Sequence, residues 1–127
     1  MITCGVVGLG QMGRGIARRL DQAGVLVAAQ DANAQAIDAA ALSPGVHTDV
    51  LSAEVLLFVV PSTADIGHFL AEAPLRNRQV IIDLTTSHPD DSAALAERLA
   101  TQGCVYVDAA MTGGAAGADA GKLTLMM

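Results

Sequence analysis

The first thirty-one residues carry the pattern that most constrains what this chain can fold into. An apolar run at residues 3–7 leads into Gly8-Leu9-Gly10-Gln11-Met12-Gly13, and a helical pattern follows. A strand that stops, turns tightly and feeds a helix directs the free N–H groups of that helix toward a diphosphate. Gly8 permits the tight turn, Gly10 leaves room for a pyrophosphate, and Gly13 lets the helix lie close to the strand. The stretch predicts a dinucleotide-binding turn; the alternative is a glycine-rich turn without a ligand.

A helix and a second strand are predicted after the glycines. Apolar residues recur at helical spacing until Gly24, a residue typical of a helix C-terminus. They are Met12, Ile16, Leu20 and Ala23. Residues 25–30 then form a short strand that ends on Asp31, and a carboxylate about twenty residues beyond the glycines is placed to bind a ribose 2′-hydroxyl. Strand, helix, strand and acid occur in the expected order, which favours a nucleotide site over an empty turn.

The rest of the chain alternates apolar, β-rich runs with helical patterns. Further strands are predicted at residues 55–60, 79–84 and 104–108, and helices at residues 34–42, 63–70 and 88–102. The spacing of Ser62 and Asp65 predicts a capping box for the helix that ends at Leu70. Residues 46–50 are compatible with a very short strand followed by the start of a small helix. Such alternation gives a parallel sheet with crossover helices. The sequence predicts one α/β domain over residues 1–127, a Rossmann-type doubly wound, mostly parallel sheet with strand order 3-2-1-4-5-6.

Composition argues against two classes of partner. The net charge is −6 at pH 7, whereas a nucleic acid or an anionic membrane requires a basic face. Arg14, Arg18 and Arg19 cluster on the first helix, and we interpret them as its solvated face. The longest apolar run, residues 55–60, is too short to span a bilayer. We therefore expect neither a nucleic acid nor a membrane as a partner.

Cysteine usage and the N-terminus predict a cytoplasmic location. Cys4 and Cys104 each lie in an apolar, strand-like run, which favours buried thiols over a disulfide or a nucleophile. The N-terminus has no basic leader and no cleavage-type sequence, so no signal peptide is predicted. His47 is interpreted as a surface residue rather than a ligand, and no metal site is predicted.

Three loops follow strands at the edge where open α/β sheets bind ligands. They are residues 60–62, residues 83–87 and residues 108–117, which contain a proline, a group of hydroxyl side chains and several glycines. Each has a plain alternative: a strand stop, a helix cap and a flexible linker. Their joint placement favours a ligand site, because exposed N–H and O–H groups are what an anionic ligand requires.

These motifs together resemble one family. They are Gly8-Leu9-Gly10-Gln11-Met12-Gly13, Val60-Pro61, Asp83-Leu84-Thr85-Thr86 with Pro89, and Asp108-Ala109-Ala110-Met111-Thr112-Gly113-Gly114. The combination resembles the N-terminal domain of the β-hydroxyacid dehydrogenase family, which includes 3-hydroxyisobutyrate, tartronate semialdehyde, L-threonate and 6-phosphogluconate dehydrogenases. The resemblance covers essentially the whole chain.

The resemblance implies a role for each loop. The loop with Gln11 and Met12 would hold the pyrophosphate. The loops with Val60, Pro61 and Thr86 would border the nicotinamide ribose. A third group would hold the substrate carboxylate, and it consists of Thr112, Gly113 and Gly114.

Two departures from the family pattern bear on function. Pro-Val-Ser usually precedes the two glycines of the family, whereas residues 110–112 are Ala, Met and Thr, which leaves the substrate open. The family's catalytic lysine and helical second domain would follow the point where this chain ends. Lys122 does not match the catalytic position and is interpreted as a surface charge. No catalytic residue is therefore expected within these residues, and the chain alone is expected to be inactive.

The resemblance implies an NAD-dependent oxidoreductase that moves hydride between nicotinamide and the hydroxyl carbon of a small β-hydroxy acid, with a lysine as general acid/base. NAD is preferred to NADP, because Asp31 would repel a 2′-phosphate and residues 32–34 supply no arginine. Two alternatives are a non-catalytic dinucleotide-binding module and the cofactor domain of a related imine reductase. We also expect a homo-oligomer, formed through the missing domain or an exposed apolar face.

Overall fold

A computed structural model describes residues 2–71, 75–76, 78–85, 89–112 and 124–126, with the backbone alone for residues 89, 110–112 and 124–126. The strands are β1 Cys4–Val7, β2 Leu26–Gln30, β3 Val55–Phe58, β4 Val80–Asp83, β5 Val105–Asp108, β6 Ala110–Thr112 and β7 Thr124–Met126. The α-helices are α1 Gln11–Gln22, α2 Ala34–Ala40, α3 Thr63–Leu70 and α4 Pro89–Ala100, and a short 3₁₀ helix spans Val50–Ser52.

Strands β1 to β5 form one parallel sheet in the order β2-β1-β3-β4-β5, and β6 pairs antiparallel with β7. In the parallel register, Val7 lies between Gln30 and Phe58. Phe58 lies opposite Asp83, which in turn lies opposite Asp108. Parallel strands aligned in this way end at a common edge, where ligands bind in folds of this kind. The predicted α/β class with a parallel, doubly wound sheet is confirmed.

The third predicted strand is reduced to one residue. His47 forms a single parallel bridge with Ala28, on the outer side of β2, which is the position that the predicted order gives to the third strand. Its amide donates to Val27 O at 3.1 Å and its carbonyl accepts from Ala29 N at 2.9 Å. The 3₁₀ helix begins at Val50, so too few residues remain to extend the ladder. The order of the other five strands is as predicted.

Helices cover both faces of the sheet. One apolar cluster packs α3 and α4 against one face, and its members include Leu56, Phe58, Ile81, Ile66, Leu70, Leu95 and Leu99. A second cluster packs α1 and α2 against the other face, and its members include Val6, Leu26, Ala29, Ala17, Ile16, Leu20 and Ala40. A sheet buried on both faces explains why the strands are almost continuously apolar.

Local signals in the sequence set several helix ends. Ser62 and Asp65 form the predicted capping box of α3. Gly24 and Gly103 follow α1 and α4 with φ values of +78° and +75°. Arg18 was interpreted as part of a solvated face, and this interpretation is corrected. Its guanidinium donates to the carbonyls of Ala39 and Ala40 at 2.9 Å and so caps the C-terminus of α2.

Two further expectations concern the cysteines and the helices. Cys4 and Cys104 are free and buried, as predicted. Burial raises the pKa of both thiols above the ordinary value.

Across the part of the chain that the structure describes, no helix combines the length and apolar character needed to cross a membrane.

Candidate dinucleotide-binding site

The three glycines between β1 and α1 have three different surroundings. Gly8 has a φ of +99°, and a Cβ there would lie 2.1 Å from the carbonyl oxygen of Val59. A Cβ on Gly13 would lie 1.8 Å from the carbonyl oxygen of Gly8. Nothing lies within 4 Å of the position that a Cβ on Gly10 would take. The backbone therefore requires glycine at the first and last positions, while Gly10 faces open space.

The N-terminus of α1 opens onto that space. Gly10 is its N-cap residue, no side chain caps it, and its first turn carries no acidic residue. The first bond within the helix runs from Arg14 N to Gly10 O at 2.8 Å, so the amides of Gln11, Met12 and Gly13 precede it. This twelve-residue helix thus presents free N–H groups and the positive end of its dipole, a combination that suits a phosphate.

Asp31 links the end of β2 to the glycine turn. Its Oδ2 accepts a hydrogen bond from Leu9 N at 2.7 Å, and its Oδ1 accepts one from Asn33 N at 2.8 Å. Each carboxylate oxygen has two lone pairs, so both retain capacity for a further donor. The half-buried carboxylate is therefore held in place and can still accept hydrogen bonds from ribose hydroxyls.

A cleft of about 580 Å³ lies at this edge of the sheet. Its walls come from the ends of β1, β2 and β3, from the segments that follow them, and from α3. The lining residues are Val7, Gly8, Gly10, Gln30, Asp31, Ala32, Phe58, Val59, Val60, Pro61, Asp65 and Phe69. The two charged side chains among them, Asp31 and Asp65, are acidic. The cleft thus combines an apolar floor with a helix N-terminus and a ribose-type acceptor.

The predicted site residues fall into three groups. Gly8, Gly10, Asp31, Val60 and Pro61 line the cleft. The others of the first turn lie beside it: the Leu9 side chain is buried in the apolar core while its amide holds Asp31, and Gln11, Met12 and Gly13 form the first turn of α1. The last group lies outside the described residues or is described by its backbone alone. It consists of Thr86, Gly113 and Gly114, with Thr112 at the end of β6.

Seven of the twelve lining residues were not predicted as site residues, and four of these, Phe58, Val59, Asp65 and Phe69, lie near Pro61 in the sequence. Phe58 and Val59 belong to the run predicted as a strand through residue 60, but β3 ends at Phe58 and the chain then bends along the cleft. Phe69 packs edge-on against Phe58, with 5.6 Å between ring centroids. Asp65 was identified as a capping residue of α3 only. All four lie close in sequence to Pro61, which ends the predicted strand, and this closeness could have identified them as lining residues.

A second polar cluster is centred on Asp83, the last residue of β4, which is completely buried. Its Oδ1 accepts from the amide of Thr85 at 2.8 Å and from the Thr85 hydroxyl at 2.5 Å. Its Oδ2 accepts from the hydroxyl of Thr63 at 2.8 Å and from that of Tyr106 at 2.5 Å. Four donors from three segments thus meet at one carboxylate. The sequence indicates the hydroxyl-rich loop at residues 83–87 but gives no sign of this convergence.

Tyr106 keeps its proton in this environment. Burial raises the pKa of Tyr106 above its ordinary value, and the hydrogen bond that it donates to the Asp83 carboxylate raises it further. A hydrogen bond with Ser92 acts in the opposite direction. The hydroxyl therefore remains a donor well into the alkaline range.

Metal ligands do not converge in the described part of the chain, where no group of three or more His, Cys, Asp or Glu side chains is suited to hold an ion. His47 is exposed, and its Nδ1 accepts from Asp49 N at 3.2 Å. The cleft instead offers the backbone amides at the N-terminus of α1, which suit a phosphate.

A glycine turn, an uncapped helix N-terminus and an acid at the end of the second strand, all at one edge of a parallel sheet, define a dinucleotide-binding domain of the Rossmann type. Sequence comparison is more specific. The chain belongs to the family of the NAD-binding domain of 6-phosphogluconate dehydrogenase, whose family model matches residues 3–127. The resemblance stated from the motifs is thereby confirmed, and the chain is an NAD(P)-binding domain of the β-hydroxyacid dehydrogenase type.

The individual proteins to which the chain is similar are dehydrogenases, in agreement with this assignment. The chain is 33% identical to an L-threonate dehydrogenase of Cupriavidus necator over 96% of its own length and 44% of the relative. It is also 33% identical to a 2-(hydroxymethyl)glutarate dehydrogenase of Eubacterium barkeri, over 99% of the chain and 45% of the relative. The solved 3-hydroxyisobutyrate dehydrogenase of Mycobacterium tuberculosis superposes with a TM-score of 0.90 at 26% identity, over 99% of the chain and 46% of that structure. The chain therefore spans less than half the length of these relatives.

Proposed function

We propose that this chain is the cofactor-binding part of an NAD-dependent oxidoreductase that transfers hydride between nicotinamide and the hydroxyl carbon of a small β-hydroxy acid. The observation that carries the proposal is the cleft in which the open side of Gly10, the N-terminus of α1 and the Asp31 carboxylate lie together. The bound dinucleotide would supply the hydride. The residues of this chain would hold and orient it.

NAD is the proposed cofactor in preference to NADP. The Asp31 carboxylate accepts hydrogen bonds and would repel a ribose 2′-phosphate. The neighbouring lining residue is Ala32, and the charged side chains around the cleft are both acidic. None of the lining residues is a lysine or arginine that could form an ion pair with the additional phosphate, so the discrimination follows from charge.

The substrate carboxylate is proposed to bind at the end of β6 and at the residues that follow it. One hydroxyl and adjacent backbone N–H groups can hold a small carboxylate without an arginine, and Thr112, Gly113 and Gly114 offer that combination. The alcohol proton requires a separate general base. The family resemblance supports a lysine in this role, and we assign it to no residue that the structure describes, so we expect the chain alone to bind the cofactor without turnover.

We further propose a cytoplasmic location, because two free, buried thiols suit a reducing compartment.

The edge of the sheet bears on assembly. Val105, on the outermost described strand of the sheet, is 52% exposed. An apolar side chain at a sheet edge favours association, so we propose a homo-oligomer that covers it. Size-exclusion chromatography of the chain with and without Val105→Lys measures this association.

Cofactor titration tests the central proposal. The chain is titrated with NADH and with NADPH, with binding followed by nicotinamide fluorescence. We expect NADH to bind about tenfold more tightly or better, because repulsion between two charges near a protein surface is worth on the order of 1–4 kcal/mol. Equal or tighter NADPH binding would contradict the preference, and no binding of either would contradict the proposed function. We expect the chain to bind NAD but not to reduce it when threonate or 3-hydroxyisobutyrate is added.

A further inference from the structure

The donors around Asp83 come from three segments, one of which directly follows the cleft residues Val60 and Pro61. Thr63 is the first helical residue of α3 and follows the turn that contains Val60 and Pro61. Thr85 lies in the loop after β4, two residues beyond Asp83. Tyr106 lies on β5, which continues toward β6. One buried carboxylate thus ties together the segments that follow β3 and β4 and anchors both to the next strand.

The strand order indicates which half of a dinucleotide these segments face. In the order β2-β1-β3-β4-β5, Asp31 lies on one side of the β1 turn, and Pro61 and Thr85 lie on the other. A dinucleotide with its adenosine ribose at Asp31 and its pyrophosphate at α1 extends its second half across the ends of β3 and β4. That second half carries the nicotinamide.

We propose that Asp83 is a positioning residue for the nicotinamide half of the cofactor, acting through Thr63 and Thr85. The inference rests on the proposed function. A carboxylate can accept four hydrogen bonds, and here all four are made in a site with no exposure. An amide of the same shape accepts only two and adds donors of its own. Asn at this position would therefore leave hydroxyls without acceptors and release the loops.

Titration with two ligands distinguishes a positioning role of Asp83 from a role in stability alone. ADP-ribose contains the adenosine, the pyrophosphate and the second ribose but no nicotinamide, so it reports mainly on the Asp31 and α1 side. We expect Asp83→Asn to weaken NADH binding by about tenfold, the effect of losing one hydrogen bond between the released loops and the cofactor, while ADP-ribose affinity changes less than about twofold. Calorimetric titration of the 127-residue chain with both ligands measures the ratio.

Gln79 provides a matched control at the opposite end of the same strand. It precedes β4, is 2% exposed, donates to Leu51 O and Ala53 O, and accepts from Arg76 N. Gln79→Leu should lower the Tm because it removes a buried polar group with three partners. It should leave the ratio of NADH to ADP-ribose affinity at the wild-type value.

Milder variants keep the inference testable if Asp83→Asn does not fold. Tyr106→Phe and Thr63→Val each remove a single donor, and each should shift the ratio in the same direction by a smaller factor. A ratio that stays at the wild-type value in all folded variants would mean that Asp83 only stabilises the fold, and the inference would be overturned. Equal affinity of the wild-type chain for NADH and ADP-ribose would also overturn it. Failure of the wild-type chain to bind either NADH or ADP-ribose would instead overturn the proposed function.

Discussion

The amide of Leu9 donates a 2.7 Å hydrogen bond to the Oδ2 atom of Asp31, 22 residues further along the chain. The bond joins the turn after β1 to the end of β2. Because Leu9 is 1% exposed, its side chain fixes the turn from the core side while its amide fixes the acid. The phosphate-type and ribose-type sites are therefore coupled before any ligand arrives.

Replacing Asp31 with Ala should narrow the preference for NADH over NADPH. The substitution removes the charge that repels a 2′-phosphate and leaves the Leu9 amide without its acceptor. We expect NADH affinity to fall by about tenfold and NADPH affinity to fall less, since losing a hydrogen bond to a charged group costs about 1.5–3 kcal/mol. Titration with both cofactors gives the two dissociation constants.

Asp38→Ala is the control for that experiment, because Asp38 is an exposed acid on α2 and its removal changes the net charge equally. Its effect on both cofactors should be small. An Asp31→Ala chain that keeps the wild-type preference would show that discrimination comes from elsewhere.

Substitutions at Gly10 and Gly13 distinguish an effect on cofactor binding from an effect on folding. Gly10 has φ and ψ values of −65° and −170°, which other residues adopt, and open space where a side chain would go. Gly10→Val should therefore leave Tm nearly unchanged and weaken NADH binding by at least about tenfold, because the added side chain occupies the space for the pyrophosphate. Gly13→Ala should instead cost about 1–3 kcal/mol of unfolding free energy, since its Cβ meets a backbone oxygen.

Thermal unfolding and NADH titration of both variants check this pair. The result that contradicts the assignment is a Gly10→Val chain that binds NADH as tightly as wild type. A large loss of Tm in that variant would mean that Gly10 serves the turn rather than the ligand.

Short-range signals in the sequence accounted for most of the fold. Gly8, Gly10 and Gly13 each occupy the surroundings that the turn geometry predicts, because the tight turn, the open side and the close helix are properties of one short segment. The Ser62–Asp65 capping box is likewise local. The third strand was not predictable to the residue, since one bridge at His47 leaves no periodicity in the sequence.

Long-range polar contacts were beyond the sequence alone. Asp83 and its partners Thr63 and Tyr106 are 20 and 23 residues apart, and no spacing rule connects them. The one signal was an acid at the end of an apolar run, at the edge where ligands bind. The cap of α2 by Arg18 was missed for a similar reason, because it depends on how two helices cross.

The loop at Thr112 yields a prediction about substrate binding. In a full-length protein that carries this domain, Gly113→Val should abolish binding of the hydroxy acid and leave NAD affinity nearly intact, because the added side chain fills the substrate side only. Separate titrations with NADH and with the acid in the presence of NADH distinguish the two. Loss of both affinities together would mean that the loop is a structural brace.

Tyr106 gives the prediction with the most direct readout. It is the only tyrosine of the chain, which has no tryptophan, so near-ultraviolet absorbance of tyrosinate reports on this residue alone. Burial and the Asp83 carboxylate raise its pKa above the ordinary value of 10.0. We expect the folded chain to show no tyrosinate at a pH where the urea-unfolded chain is already half ionised.

The same shift makes stability depend on pH with a defined sign. Between the unfolded and the folded pKa of Tyr106, the folded chain holds a proton that the unfolded chain has lost, so the free energy of unfolding falls as pH rises. The contribution is complete below the ordinary pKa of 10.0 and disappears as pH rises through the folded value. Tyr106→Phe removes the ionisable hydroxyl. Urea unfolding at increasing pH should therefore show a steeper alkaline decline for wild type than for Tyr106→Phe, and parallel curves would mean that the tyrosine does not keep its proton against Asp83.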